Sequence, residues 1–135
     1  MSKQLSVMVG MDYPGQQISK NHLWRGGSRR YGMNDVAKSW RRTLADSIQN
    51  ALLAQFGAAA SNIKPPVTVR VAGRFVDRKN AVDLHNLGEL VCDAVQEGTG
   101  INDKHFKLET GTVTYGVAVP EIIVTVTVST ESIDG

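Results

Sequence analysis

The segment from residue 83 to residue 103, DLHNLGELVCDAVQEGTGIND, carries the side chains in this sequence that are best suited to metal chemistry. Asp83, His85 and Asn86 open an amphipathic stretch, and Asp103 follows just beyond its end. Oxygen ligands that converge on one point are what a hard divalent cation such as Mg2+ requires. Such a cation polarises a phosphate, lowers the pKa of an attacking water and stabilises a leaving oxygen. The segment therefore predicts a metal-dependent nuclease.

A structural role for the same residues is the alternative. Asp83 would then cap a helix and Asp103 would begin a turn, and the spacing alone does not separate the two interpretations. A helix of about 14 residues is about 21 Å long. The two aspartates can therefore share a metal ion only if the turn at residues 98–100 folds Asp103 back, or if a second protomer supplies it.

A zinc site is a weaker interpretation of the same region. It would use His22, His85, Cys92 and His105, whose spacing matches no recognised zinc motif. His105 is better explained as a surface residue and His22 as a loop or DNA-contacting residue. Cys92 is the only cysteine, so it forms no internal disulfide, and we expect it to be chemically inert.

Basic residues are concentrated in the first half of the chain. Residues 1–70 contain ten Lys or Arg and three Asp, a net charge of +7, whereas residues 71–135 contain five basic and ten acidic residues, a net charge of −5. This segregation suits a basic surface for phosphates beside an acidic site that needs cations. The alternative is a solvated helix face with scattered loop charges. The expected DNA-binding residues are Lys20, Arg25, Arg29, Arg30, Lys38, Arg41, Arg42 and Lys79.

Two aromatic residues lie among these basic residues. Trp24 and Tyr31 alternate with arginines in the segment 24–31, a pattern that suits stacking on unpaired or distorted nucleic acid. Packing of the same two rings over the core is the equally weighted alternative.

The periodicity predicts six elements. The first strand covers residues 4–9 and is followed by a long loop rich in Gly and basic residues. A helix runs from the Asn34 N-cap to Gly57, because apolar residues recur every four positions. After a linker at 58–66, a strand covers 67–75, a second helix covers 83–96, and two strands cover 112–118 and 121–129. The apolar residues of the first helix are Val36, Trp40, Leu44, Ile48, Leu52 and Phe56, and those of the second are Leu84, Leu87, Leu90, Val91, Ala94 and Val95.

The order β-α-β-α-β-β predicts one α+β domain, in which two helices pack on a mixed sheet of about four strands. A length of 135 residues suits a single domain. No apolar run approaches the roughly 20 residues that span a bilayer, and the N-terminus is too polar for a secretory signal. We therefore expect a cytoplasmic protein without a membrane partner.

The stretch DRKNAVDLHNLGELVCDAV followed by IND resembles the RusA family of Holliday junction resolvases, small endonucleases of phages and prophages. Members of that family carry a basic loop, a D-x-D-N-L motif that opens a helix, a downstream D-A and an aspartate about twenty residues on. The loop PGQQISKNHLWR and the long basic helix after it are similar to the corresponding parts of the family. The resemblance covers most of the chain.

The resemblance implies residue roles. Asp83 and Asp103 match the family's first and later catalytic aspartates, and Asn86 matches its asparagine. His85 stands where many members have a second aspartate, and Glu89 stands where some have a lysine. The implied metal ligands are Asp83, His85 and Asp103, with Glu89 as a further ligand, and Asn86 would orient a ligand or a water. A histidine ligand shifts the preference from Mg2+ toward Mn2+.

The resemblance also implies a homodimer that cuts four-way DNA junctions in the cytoplasm of a bacterium or a phage-infected host. Three alternatives stay open. The same site could cut flaps, forks or RNA-containing duplexes. The departures at His85 and Glu89 could leave a catalytically inactive junction-binding protein. The acidic helix could instead contact a protein partner, in which case the chain would not bind DNA.

Overall fold

Four strands and two helices make up the computed structural model, which describes residues 2–131. The strands are β1 (Ser2–Asp12), β2 (Ile63–Phe75), β3 (Phe106–Tyr115) and β4 (Glu121–Glu131), and the helices are α1 (Asp35–Phe56) and α2 (Gly88–Thr99). The sheet order is β1-β4-β2-β3. Strand β4 is antiparallel to both neighbours, whereas β2 and β3 are parallel. The predicted α+β fold with a mixed four-stranded sheet is therefore confirmed.

Alternating side chains place the core on one face of this sheet. In the central strand β4, Val124, Val126 and Val128 are buried, whereas Thr125 and Thr127 between them are partly exposed. This period of two means that only one face is covered. Helix α1 packs against β1 and α2 on the covered face, and α2 lies against β2 and β3.

Helix α1 follows the predicted pattern with one exception. The Asn34 side chain accepts a hydrogen bond from the backbone N–H of Ala37 at 2.8 Å and so caps the helix. The stripe at Trp40, Leu44, Ile48 and Leu52 is buried. Val36 is 40% exposed, so its assignment to the core was wrong. It lines an open groove between the first turns of α1 and the C-terminal end of β1, beside Met11 and Asp12.

The strand boundaries differ from the prediction where charged residues interrupt the apolar pattern. Strand β1 extends to Ser2 and Asp12 rather than covering 4–9, and β2 begins at Ile63, inside the predicted linker 58–66. Strand β3 runs from Phe106 to Tyr115 rather than over 112–118. It is an edge strand and is mostly exposed, so its sequence FKLETGTVTY lacks the apolar bias of a buried strand.

The second helix begins later than predicted. Residues Leu84–Leu87 form a 3-10 turn, and the α-helical part starts only at Gly88. Its predicted apolar face is confirmed, because Leu84, Leu87, Leu90, Val91, Ala94 and Val95 are all buried.

The long loop between β1 and α1 is ordered by its own small core. Ile18, Leu23 and Met33 are buried. The Asn34 amide donates to the carbonyl oxygens of Gln17 at 2.8 Å and His22 at 2.9 Å. These contacts fix the loop against the start of α1. No helix within residues 2–131 has the length and hydrophobicity needed to cross a bilayer.

Candidate metal and nucleic-acid site

Asp83 acts locally as a cap for the 3-10 turn. Its Oδ1 accepts a hydrogen bond from the backbone N–H of His85 at 3.1 Å. Asp83 and His85 are exposed, and Asn86 is half-buried. The capping bond uses only one of the four lone-pair sites of the carboxylate, so the structural role leaves Asp83 able to bind a cation as well.

The loop before α1 is joined to this turn. The backbone N–H of Lys20 donates to the carbonyl oxygen of Asn86 at 2.8 Å. Arg29 in the same loop donates to Glu89 at 2.8 Å, one helical turn after His85. The basic loop and the acidic start of α2 therefore share one surface although about 60 residues separate them in sequence.

Carboxylates gather along the exposed side of α2. Burial raises the pKa of Asp93 above its ordinary value, and the negative charges of Glu89 and Asp103 raise it further. The positive charges of Arg41 and Arg29 act in the opposite direction. The two neighbouring carboxylates therefore oppose the ionisation of Asp93. A divalent cation bound nearby would counter their charge and stabilise the ionised form of Asp93.

Asp103 is folded back along α2, but only part of the way. Its backbone N–H donates to Oε1 of Gln96 at 2.9 Å, in a short turn that Asn102 caps. Its charge also acts on the neighbouring Cys92. Burial raises the pKa of the Cys92 thiol to about 11, and the charges of Asp103 and Asp93 add to the increase. This pKa agrees with the expectation that Cys92 is inert, because a thiol is nucleophilic only as the thiolate.

The predicted ligands do not meet within one chain. Helix rise places Gln96, beside Asp103, about 12 Å along the axis from Gly88, and the turn with Asp83 and His85 lies beyond Gly88. Across residues 2–131, no three His, Cys, Asp or Glu side chains are grouped closely enough to hold a metal ion. The oxygen donors suit Mg2+ or Mn2+ by their chemistry, but within one chain they are spread along α2: Asp83 and His85 lie before its start, and Asp103 lies beside Gln96 near its end.

The eight predicted DNA-binding residues divide into two sets. Three are engaged in ion pairs: Arg25 with Asp35, Arg29 with Glu89, and Arg41 with Glu97 at 3.6 Å. Arg41 is half-buried, and its Nε is buried without a hydrogen-bond partner in the described part of the chain. The other five are exposed and make none of the ion pairs found within residues 2–131; they are Lys20, Arg30, Lys38, Arg42 and Lys79.

The two loop aromatics differ in exposure. Trp24 is half-buried and packs against the core, with the Arg29 guanidinium 4.7 Å from its ring centroid. Tyr31 is 61% exposed, and the Arg30 guanidinium lies 6.0 Å from its ring. Of the two rings, Tyr31 is the one accessible for stacking on a base.

Sequence reasoning undervalued Asp93. It was not among the metal ligands predicted from the sequence, whereas in the structure the charges of Glu89 and Asp103 both act on it and its pKa is raised. Its position four residues after Glu89 was a usable signal, because side chains at that spacing share one helix face. No comparable pattern in the sequence predicts the contact of Gln96 with Asp103.

Comparison with known proteins adds no assignment: no family model matches the chain, and no curated protein matches it. The resemblance to the RusA family therefore stays a prediction that depends on the motif residues.

Proposed function

We propose that this protein is a metal-dependent endonuclease that resolves branched DNA, in the manner of the RusA family, in the cytoplasm of a bacterium or a phage-infected cell. The observation that carries the proposal is the junction of the basic loop with the acidic start of α2. Lys20 is bonded to Asn86 and Arg29 to Glu89, both at 2.8 Å. A phosphate held by the loop therefore lies beside the carboxylates of α2.

In this proposal Asp83, His85 and Asp103 hold Mg2+ or Mn2+, with Glu89 as a further ligand. The bound ion would activate water and polarise the scissile phosphate. Asn86, whose backbone carbonyl oxygen is bonded to the loop, would orient a ligand or a water through its side chain. Asp93, next to Glu89 and Asp103, supplies additional negative charge.

The exposed basic residues would bind the DNA backbone. Within residues 2–131 none of the described ion pairs involves Lys20, Arg30, Lys38, Arg42 or Lys79, so phosphate binding by them breaks none of these ion pairs. Arg29 and Glu89 would exchange partners when DNA binds: the arginine would move to a phosphate and the glutamate to the metal. The 73% exposure of the Arg29 side chain permits that exchange.

A labelled four-way junction tests the proposal, beside linear duplex, in Mg2+, Mn2+ and EDTA. We expect paired, metal-dependent nicks on the junction, lost in Asp83→Asn. The matched control is Asp46→Asn, at an exposed position on α1 outside the carboxylate groups, which should cut like the wild type. Absence of cleavage in both metals would refute the nuclease activity.

A second candidate is a junction-binding protein without catalysis. It is favoured by the Arg29–Glu89 ion pair and by the separation of Asp103 from Asp83. It predicts binding of the same junction with or without metal, without nicks. In both cases binding should weaken steeply with salt, and Arg30→Ala should lower the salt slope by about 1. Arg70→Ala, on the uncovered face of the sheet, is the matched control and should leave the slope unchanged.

A further inference from the structure

Strand β1 has one edge that no other strand pairs with. Within residues 2–131, β1 pairs with β4 alone, over its whole length from Ser2 to Asp12. No backbone group of a loop in that range bonds to its other edge. An edge strand of 11 residues with free N–H and C=O groups is a template for one more strand.

Two contacts at the end of β1 identify the backbone groups that face this free edge. The carbonyl oxygen of Asp12 accepts a hydrogen bond from Nε1 of Trp40 at 2.7 Å, so the backbone groups of Asp12 point away from β4. The N–H of Tyr13, the next residue, donates to the carbonyl oxygen of Pro120 just before β4, at 3.4 Å. Neighbouring residues of a strand present their backbone groups to opposite sides. The even-numbered residues of β1 therefore face the free edge.

A cross-strand contact gives the same assignment. Ser6 and Thr127 are opposed in the β1–β4 register, and their hydroxyl oxygens lie 3.1 Å apart. Side chains of antiparallel strands approach most closely at pairs that exchange no backbone bonds, so the backbone groups of Ser6 point away from β4. The free edge consists of the N–H and C=O groups of Gln4, Ser6, Met8 and Gly10.

The open groove between β1 and α1 lies beside this edge. Its volume is about 630 Å³, within the range typical of ligand sites. Met11, Val36 and Trp40 form its apolar part. The hydroxyl side chains that line it on α1 are those of Ser39, Thr43 and Ser47. The groove therefore offers both apolar surface and hydrogen-bonding groups next to an unpaired strand.

A strand added to β1 would direct alternate side chains into this groove. Val7, Val9 and Met11 are buried on the face that α1 covers. Opposed residues of paired strands lie on the same face of a sheet, so every second side chain of an added strand would lie on the α1 side. In binding of this kind, backbone hydrogen bonds supply the affinity, and the pockets for alternate side chains supply the specificity.

The charge of the groove selects a basic occupant. Asp12 and Asp35 line the end of the groove where β1 ends and α1 begins, and no Lys or Arg of residues 2–131 lines it. Asp35 is paired with Arg25 at 2.5 Å, whereas Asp12 takes part in none of the ion pairs found in that range. An extended segment that carries Lys or Arg beside apolar residues would therefore complement the groove.

A second copy of the chain complements the groove less well. The only basic residue of β1 is Lys3, nine positions before Asp12. An odd separation puts these two side chains on opposite faces of the strand. Lys3 could therefore face Asp12 of another copy only in a register that places the helices of the two copies on opposite faces of the joined sheet.

We propose that β1 is the docking site of a partner protein, which adds an extended segment to the free edge, with apolar side chains in the groove and a basic side chain at Asp12 and Asp35. The interaction is separate from the proposed nuclease activity. A Cβ at Gly73 would lie 3.2 Å from Leu84, so the turn after Asp83 lies over β2. Strand β4 lies between β2 and β1, so a segment bound at β1 leaves that turn uncovered.

The occupant is tested with a display library of random nine-residue peptides, selected against the full chain. Enriched peptides should alternate apolar and polar residues and carry Lys or Arg. Their synthetic forms are then titrated by calorimetry. Met8→Pro removes one N–H from the free edge and keeps the bonds to β4, so it should bind the peptides at least about 10-fold more weakly than the wild type. Met8→Thr keeps the N–H at the same exposed position and is the matched control, expected within about 2-fold of the wild type.

The charge of the groove is tested with the same peptides. Asp12→Asn and Asp35→Asn should each lower the affinity for a basic peptide by about 2- to 5-fold, which is the effect of losing one exposed ion pair. Asp46→Asn is the matched control, because Asp46 is exposed on α1 and does not line the groove. It should bind the peptides like the wild type.

Amide hydrogen exchange of the wild-type chain locates the bound peptide without any variant. In the free protein, the amides of Ser6, Met8 and Gly10 should exchange at least about 10-fold faster than those of Val7 and Val9, which face β4. A bound peptide should slow the three edge amides at least about 10-fold, because it bonds to them.

Three results would overturn the proposal: no enrichment of basic peptides, equal binding of the enriched peptides to Met8→Pro and the wild type, or edge amides that stay unprotected in the complex. A free protein that sediments as a dimer with these edge amides already protected would show that a second copy occupies the edge, and it would overturn the proposal as well.

Discussion

The ionisation of Cys92 gives a direct measurement of where Asp103 lies. Burial and the charges of Asp103 and Asp93 raise the thiol pKa from its ordinary value of 9.0 to about 11. At about pH 8, a thiol with the ordinary pKa is about one-tenth thiolate, whereas Cys92 would be about one-thousandth thiolate. A thiolate of higher pKa is intrinsically more nucleophilic, and this offsets up to about a factor of 10 of the difference in thiolate fraction. Alkylation should therefore be between about 10-fold and 100-fold slower than that of an unfolded control.

The assay is iodoacetamide labelling as a function of pH, followed by mass spectrometry. Cys92 is the only cysteine, so the signal needs no assignment. The rate should rise toward a midpoint near 11. Asp103→Asn should lower the midpoint but leave it above 9.0, because burial is the larger cause. Asp83→Asn is the matched control and should leave the midpoint unchanged, because the charge of Asp83 does not contribute to this pKa.

A midpoint at or below 9.0 would refute the burial of the thiol. An unchanged midpoint in Asp103→Asn would refute the folding of Asp103 back along α2. Equal shifts in both aspartate variants would mean that the charge of Asp83 acts on Cys92 as strongly as that of Asp103, which contradicts the arrangement described above.

Three further predictions concern stability and pH. Asn34→Ala removes the cap of α1 and the amide's bonds to the carbonyl oxygens of Gln17 and His22, so the free energy of unfolding in urea should fall by about 2–3 kcal/mol. Asn34→Asp keeps the capping oxygen but sets a carboxylate oxygen against these carbonyl oxygens, so it should also destabilise the protein. The pKa of Asp93 is raised in the folded state, so unfolding free energy should fall as pH rises from the ordinary value of 3.8 through the folded pKa. Asp93→Asn should abolish that dependence and gain less than about 1 kcal/mol near neutral pH, and an unchanged pH profile would contradict the raised pKa. A Cβ at Gly98 would lie 2.7 Å from the carbonyl oxygen of Ala45, so Gly98→Ala should destabilise the contact of α2 with α1 by about 1–3 kcal/mol, and a thermally unchanged variant would contradict that packing.

The fold was predictable where one face of an element is buried. The four-residue period of α1 and the apolar face of α2 predicted both helices, because burial selects apolar residues at those positions. Strand β3 was predicted six residues too late, since its first half alternates Phe106 and Leu108 with charged residues at an uncovered edge. Val36 carries the apolar signal of a core position, but it lines an open groove beside the end of β1 and stays exposed.

The candidate site was predictable in its residue types and not in its arrangement. The sequence indicated the acidic segment and the basic loop separately. Their contact through Arg29 and Glu89 depends on how the loop folds over α2, and no local period encodes such a contact. The position of Asp103 beside α2 likewise depends on a hydrogen bond to the side chain of Gln96. Nothing in the sequence marks that glutamine as the partner of Asp103.

The place of β4 in the sheet has a consequence for folding during synthesis. Strand β4 lies between β1 and β2 and pairs with both, yet it follows them in the chain. While the ribosome is still translating the segment before Glu121, β1 has no strand to pair with, and β2 can pair only with β3. The sheet therefore closes in one late step, when β4 inserts between two strands made much earlier. Until then the apolar residues of β1 need protection from aggregation, and chaperones that bind extended apolar segments can provide it.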